Sequence, residues 1–134
     1  MKTVLIVAAA LFAAFGATTW WALEAGGVAV IETQTPEGTT RSTHVWYSQL
    51  NEELWLEAGT PENPWFQDIQ RHAVLGFSAD GRTARYVAQP VEDASGHRRI
   101  RSLISEKYGI RDEWVGLVVD TSRSVAVRLV PADE

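Results

Sequence analysis

The chain has no cysteine. Disulfides, thiolate nucleophiles and cysteine-built zinc centres are therefore excluded. It also lacks a G-x-G-x-x-G or Walker A loop, the glycine-rich devices of Rossmann and P-loop nucleotide binding. No serine sits in a G-x-S-x-G elbow. His44, His72 and His97 stand far apart, none with a second ligand at metal spacing. The acidic pairs Glu52-Glu53, Glu92-Asp93 and Asp112-Glu113 are sequence neighbours expected on exposed turns or helix starts. A hydrolase dyad instead needs two carboxylates held at a set separation across a cleft. Positive charge is scarce: 12 basic side chains face 17 acidic ones, for a net charge of −5. That balance argues against nucleic acid, whose phosphates reward a basic surface. No catalytic residue set and no metal site can be assembled from what remains, so any redox chemistry would be borrowed from a cofactor.

What the chain does have begins at its N-terminus. After Lys2, residues 3–23 carry no charge. At 1.5 Å per residue, such a helix reaches across about 30 Å of hydrocarbon. Ala14 and Gly16 offer a small-x-small cleavage site for a signal peptide. The length favours a retained single-pass anchor, with Trp20 and Trp21 where an interfacial aromatic belt belongs. Lys2 and the α-amino group are the only positive charges before Arg41. The positive-inside rule then puts the N-terminus in the cytoplasm and the following domain on the extracytoplasmic side. The expected division is an anchor or signal segment over 1–25 and a globular domain over 26–134, with Gly26-Gly27 as a hinge.

Downstream, alternation with period two marks strands. They are expected at 28–31, from 41 through Tyr47, at 54–58, 73–77, 83–89 and 124–130. Leu50-Asn51-Glu52 and Ala79-Asp80-Gly81 are expected turns, and Pro90 closes the fifth strand. Asn63 as N-cap and Pro64 at the first position open a short helix. Trp65, Ile69 and Phe66 should face inward there, with Gln67 and Asp68 outward. Ile100, Leu103, Ile104 and Tyr108 recur at threes and fours, giving an amphipathic helix capped by Asp93 or Ser95 and stopped at Gly109. Its basic cluster at 97–101 is expected to be a solvated face. Residues 110–119 are ambiguous, with Trp114, Leu117 and Val118 favouring helix. Short connections imply antiparallel pairing. The fold class is therefore mainly β (α+β): a small six-stranded antiparallel barrel with flanking helices.

The organising stretch is 41–71, RSTHVWYSQLNEELWLEAGTPENPWFQDIQR, which holds three of the six tryptophans. A basic, threonine-bearing strand start (Arg41, Thr43) leads through His44 and Val45 to Trp46 and Tyr47. A hairpin follows, then a strand ending at Ala58-Gly59, then Pro64-Trp65 opening a helix. His44, among aromatics, could hydrogen-bond a ligand or simply be a partly buried strand histidine. Arg41 and Arg71 could serve an anionic ligand or balance surface carboxylates. This segment, with Lys107-Tyr108-Gly109, Asp112 and Trp114 further on, resembles the deazaflavin (F420)-dependent nitroreductase family of the split β-barrel flavin-binding superfamily, roughly over residues 28–130.

The resemblance implies a split barrel that holds F420 or FMN and often dimerises. Arg41, Thr43, His44, Val45 and Trp46 would face the ring system. Ala58, Gly59, Pro64 and Trp65 would support the phosphate side, where a helix start offers free amides. It implies an oxidoreductase, a nitroreductase or quinone reductase passing hydride from reduced cofactor to a quinone-like or nitro substrate. The chain departs from the F420-binding pattern at Glu62, in a loop where those members carry a lysine, which leaves F420, FMN and no cofactor all open. The alternative function is a non-catalytic barrel that binds a small ligand or partner at the membrane surface.

Overall fold

A computed structural model describes residues 1–133. Helix α1 (Lys2–Glu24) precedes strands β1 (Val28–Gln34), β2 (Thr40–Leu50) and β3 (Glu53–Ala58). Helix α2 (Pro64–Arg71) leads to β4 (Val74–Ala79) and β5 (Arg82–Val91). Helices α3 (Ala94–Tyr108) and α4 (Ile110–Val118) follow, and β6 (Val125–Pro131) ends the fold. The six strands close into an antiparallel barrel in the order β1-β2-β3-β6-β5-β4. Closure leaves no fully open sheet edge, the usual liability of a β-protein.

The barrel forms because alternate residues are apolar. Ile31, Val45, Leu56, Leu75, Ala88 and Val127 point inward and are buried with Trp65, Phe66 and Ile69 of α2, which plug one end. A second cluster lies outside the wall, where Ile100, Leu103, Ile104 and Tyr108 of α3 cover Trp55 and Ala126. Strand β3 is thus apolar on both faces because it is covered on both. Asp93 caps α3 by accepting a hydrogen bond from the Gly96 amide at 2.7 Å. Gly109 ends it at φ +53° and lets α4 start at once.

The β2–β3 hairpin turns on Asn51 and Glu52, with φ of 50° and 68°. Two left-handed residues between Leu50 and Glu53 are the geometry of a type I′ turn, which favours glycine second. Relief of left-handed strain outweighs the glycine's extra chain entropy. Glu52→Gly is therefore expected to raise stability by about 0.5 kcal/mol, read as a higher urea midpoint at unchanged slope.

Some sequence expectations need correction already at the level of the fold. Pro90 does not close β5; the strand continues to Val91, with Pro90 opposite Val127 near the end of the ladder, where a missing N–H is tolerated. Asp68 does not face out: it is fully buried. Gly26-Gly27 is not a free hinge. The Gly27 carbonyl accepts from the Tyr108 hydroxyl and from Lys107 Nζ, and the Gly26 carbonyl from Arg111 Nη1. Lys107 also donates to the Tyr47 carbonyl at 2.7 Å, with its ammonium over the Tyr47 ring. Burial brings the Lys107 amine down to about 8 and pushes the Tyr108 phenol up to about 12.

Candidate functional site

The register of β2 creates the site. On one side β2 pairs with β1 from Thr40 to Trp46. On the other it pairs with β3 only from Tyr47 to Leu50. On its other edge β3 pairs with β6 from Leu54 to Ala58, so beyond Leu56 it keeps β6 and loses β2. The two strands part there, and the β2 edge from Thr40 to Trp46 has no strand partner on that side. Its backbone groups must be satisfied by something other than the sheet.

The parting opens a groove of about 560 Å³, inside the range of roughly 300–1,000 Å³ usual for small-molecule sites. Of the nine residues singled out from sequence, Arg41, Thr43, His44, Val45, Trp46, Gly59, Pro64 and Trp65 line it. Ala58 does not; its side chain is fully buried in the barrel core. Sequence reasoning missed the far wall, built by Glu57, Asp112, Val115 and Val119, and the contribution of Leu23 and Glu24 at the end of α1. Glu57 could have been flagged, since it alternates outward beside Trp55. The α4 residues could not, because nothing local says that α4 folds back across the split.

Two charge clusters fix the walls. Asp68 accepts from Thr33 Oγ1 at 2.8 Å, Arg41 Nε at 2.8 Å and Arg71 Nη2 at 2.6 Å. Burial alone would raise its carboxyl. The hydrogen bonds from Arg41 and Thr33 and the two guanidinium charges outweigh that and hold it below its ordinary value. Arg41 spends only Nε on Asp68, and its side chain is 37% exposed on the groove wall.

Across the split, Arg101 is bidentate to both Glu57 and Asp112, with all four contacts at 2.7–2.8 Å. The exposed basic face expected at 97–101 is in this respect wrong. Arg101 is the strap that ties α3 to β3 and α4, and Asp112, expected on an exposed helix start, is buried beneath it. Burial lowers the Arg101 guanidinium, but the two carboxylates more than restore it, so it is held above its ordinary value.

The remaining groove residues are also engaged. His44 Nδ1 lies 2.7 Å from Glu24 Oε2 and its ring is exposed rather than partly buried. Trp46 donates to the Leu23 carbonyl at 2.9 Å and stacks on Tyr108 at 4.2 Å, so one face of its ring is already covered. Asn63 caps α2 without a side-chain hydrogen bond, which leaves the first-turn amides free of that partner. Glu62 is bound to Arg123, so its charge is partly neutralised.

These features suit a planar, phosphate-bearing cofactor. Val28, Val45, Trp65, Val115 and Val119 supply an apolar slot, and Arg41 beside the start of α2 supplies a cationic corner with amides. The carboxylates Glu24, Glu57 and Asp112 are each taken by a cation or by His44. Among the described residues no His, Asp and Glu group is arranged to hold a metal ion.

No family model matches the chain, and no curated protein matches it. Solved structures share its fold. A conserved hypothetical protein from Mycobacterium tuberculosis superposes with a TM-score of 0.62 at 21% identity, covering 79% of this chain and 73% of its own. A candidate pyridoxamine 5'-phosphate oxidase from Listeria innocua gives 0.58 at 19% identity, with 84% and 89% covered. A protein described as an F420 reductase gives 0.57 at 16% identity, with 85% and 93% covered. At these identities the likeness is one of fold, and the fold is the closed six-stranded barrel of F420 reductases and pyridoxamine 5'-phosphate oxidase-like proteins.

Proposed function

We propose that the chain is a membrane-anchored oxidoreductase that holds a reduced deazaflavin or flavin in the groove and passes hydride to a quinone-like or nitro substrate. The observation that carries this reading is the split between β2 and β3: an unpaired strand edge facing an apolar slot, with Arg41 and the start of α2 at one end. A flavin-type group supplies the hydride chemistry when bound, which accounts for a site without nucleophile or acid–base pair. The chain's part is to orient and to exclude water. The β2 edge offers backbone donors and acceptors to a ring, Trp65 and Val115 cover its faces, and Arg41 holds a phosphate.

The N-terminal helix belongs to the same reading. Residues 1–25 form the anchor and 26–134 the barrel domain, on the extracytoplasmic side by the charge rule. Retention is favoured over cleavage by the length of the uncharged run, and the end of α1 packs onto the domain. Ala22 is fully buried, and its carbonyl accepts from Arg111 Nε at 2.9 Å. Cleavage after Gly16 would leave this hydrogen bond and the one from Trp114 to Thr19 in place and remove only Phe15 from the Trp114 ring. A similar fold is described as a domain-swapped dimer, and a homodimer of this chain over the groove is part of the proposal.

Titration of the purified full chain with FMN and with F420, followed by tryptophan quenching, tests the cofactor. Saturable quenching at micromolar concentration is expected for at least one of them, and its absence for both defeats the reading. Arg41→Gln should weaken FMN by about tenfold to a hundredfold, the worth of a charge-assisted hydrogen bond, and leave phosphate-free lumiflavin unchanged. Equal losses for both ligands would mean that Arg41 acts only by shaping the groove.

The second reading, a non-catalytic barrel binding a ligand or partner at the membrane surface, draws on the commitment of Arg41 to Asp68. It expects normal folding and no response to either cofactor.

A further inference from the structure

Helix α4 presents its faces in an order that water would not select. Asp112 and Val115 are buried on its inward face. On the opposite face lie Ile110 and Leu117, 71% and 81% exposed, with Val118 and Trp114 beside them. A surface helix in water normally puts its polar residues there.

Its position along α1 is set by three contacts. Arg111 Nε donates to the Ala22 carbonyl, Trp114 Nε1 donates to Thr19 Oγ1 at 3.0 Å, and the Trp114 ring meets Phe15 at 5.6 Å. Later residues of α4 thus meet earlier residues of α1, so the two run in opposite directions. Phe15 lies about 13 Å along the axis from Glu24 at 1.5 Å per residue. To cross about 30 Å of hydrocarbon, α1 needs nearly all of its uncharged residues, including those from Phe15 to Leu23. Whatever packs beside that stretch must enter the bilayer with it.

We propose that α4 is a second membrane-seating element, its Ile110–Trp114–Leu117–Val118 face resting in the headgroup–acyl boundary beside α1. The proposal rests on the anchor reading given above. Lipid is the occupant because the apolar face of α4 is continuous with the exposed apolar surface of α1, which carries Trp20 and Trp21 at the same end. Exposed Glu113 and Asp120 bound the seat and keep α4 out of the bilayer centre. One consequence follows for the groove. Leu23 and Glu24 of α1 and Val115 and Val119 at α4 line its wall, so with both helices seated its mouth opens at headgroup level.

The absence of cysteine makes the test direct. Single-cysteine variants Leu117→Cys, Leu11→Cys and Glu37→Cys of the full chain are labelled with nitrobenzoxadiazole and reconstituted in phosphatidylcholine vesicles. Leu11 reports α1, and Glu37 reports the β1–β2 turn. Quenching by spin-labelled lipid is expected at positions 11 and 117, with a several-fold loss of iodide quenching relative to position 37. If position 117 behaves like position 37 while position 11 contacts lipid, the anchor stands and the seat is overturned. If all three face water, the anchor reading falls and takes the proposal with it. If position 117 is shielded from iodide but not quenched by lipid, and the shielding is lost on dilution in detergent, a second copy covers α4 and the proposal is overturned.

Discussion

Arg101→Met is expected to lower stability by about 3–5 kcal/mol, the range found when one member of a buried charge cluster is removed and its partners remain. In a chain of this size that corresponds to a fall in Tm of roughly 10–15 °C. The reason is geometric. Glu57 on β3 and Asp112 on α4 sit on the groove wall with side chains 11% and 7% exposed, and each holds a nitrogen of the same guanidinium. Without it two carboxylates face each other with little water between them. The damage should be confined to α4 first, because α4 is tied to the barrel by this strap. Hydrogen exchange across 110–118 should then rise more than in β4 or β5. Adding Glu57→Gln and Asp112→Asn to Arg101→Met should recover most of the loss, since a neutral trio carries no buried repulsion. Failure of the triple variant to recover would mean that Arg101 acts through packing of its stem against α3 rather than through charge.

Asp68→Asn is expected to cost about 2–3 kcal/mol, less than the Arg101 change because Arg41 and Arg71 are more than a third exposed and can turn to water. What cannot escape is Thr33, 2% exposed on β1, which loses a charged acceptor. The pH dependence has a definite sign. The Asp68 carboxyl is held below its ordinary value of 3.8 in the folded chain. Its contribution is complete above that value and is lost as pH falls through the lower, folded one. The gap between wild type and Asp68→Asn should therefore be constant from neutral pH down to about 5 and close in more acidic solution. A gap that widens toward acid would contradict the assigned network. Loss of Asp68 also frees Arg41, so a phosphate-bearing ligand should bind the variant no worse than wild type if the fold holds.

How legible all this was depends on sequence distance. The six strands could be read because alternation is local: Leu54, Leu56 and Ala58 face one way and Trp55 and Glu57 the other within one short segment. Asn63-Pro64 and Gly109 announced helix boundaries for equally local reasons. Asp68 was misread because it borders the apolar arc of a two-turn helix. Its partners Thr33 and Arg41 lie on strands that only the closed barrel brings beneath it. Asp112 was misread for the same reason, since Arg101 reaches it only across the turn at Gly109. Eight of the nine candidate site residues share the groove because they come from one hairpin and the helix after it. The split itself was not legible: the pattern of β2 and β3 fits a full-length hairpin, yet their pairing ends at Tyr47 and Leu56 while β3 stays paired with β6 to Ala58.

The clamped glycines have a dynamical consequence. Tyr108, Lys107 and Arg111 hold the carbonyls of Gly26 and Gly27, and Trp46 holds that of Leu23. Helix and barrel therefore tumble as one body, without a swivel between them. In fluorescence anisotropy, a probe on β4 should show no fast component beyond that of its own side chain. If α1 spans a membrane as proposed, the compass bearing of the split is inherited from its tilt, and every copy in one sheet of lipid would present its slot at the same height and angle. A ligand diffusing in that plane would then search two dimensions, not three.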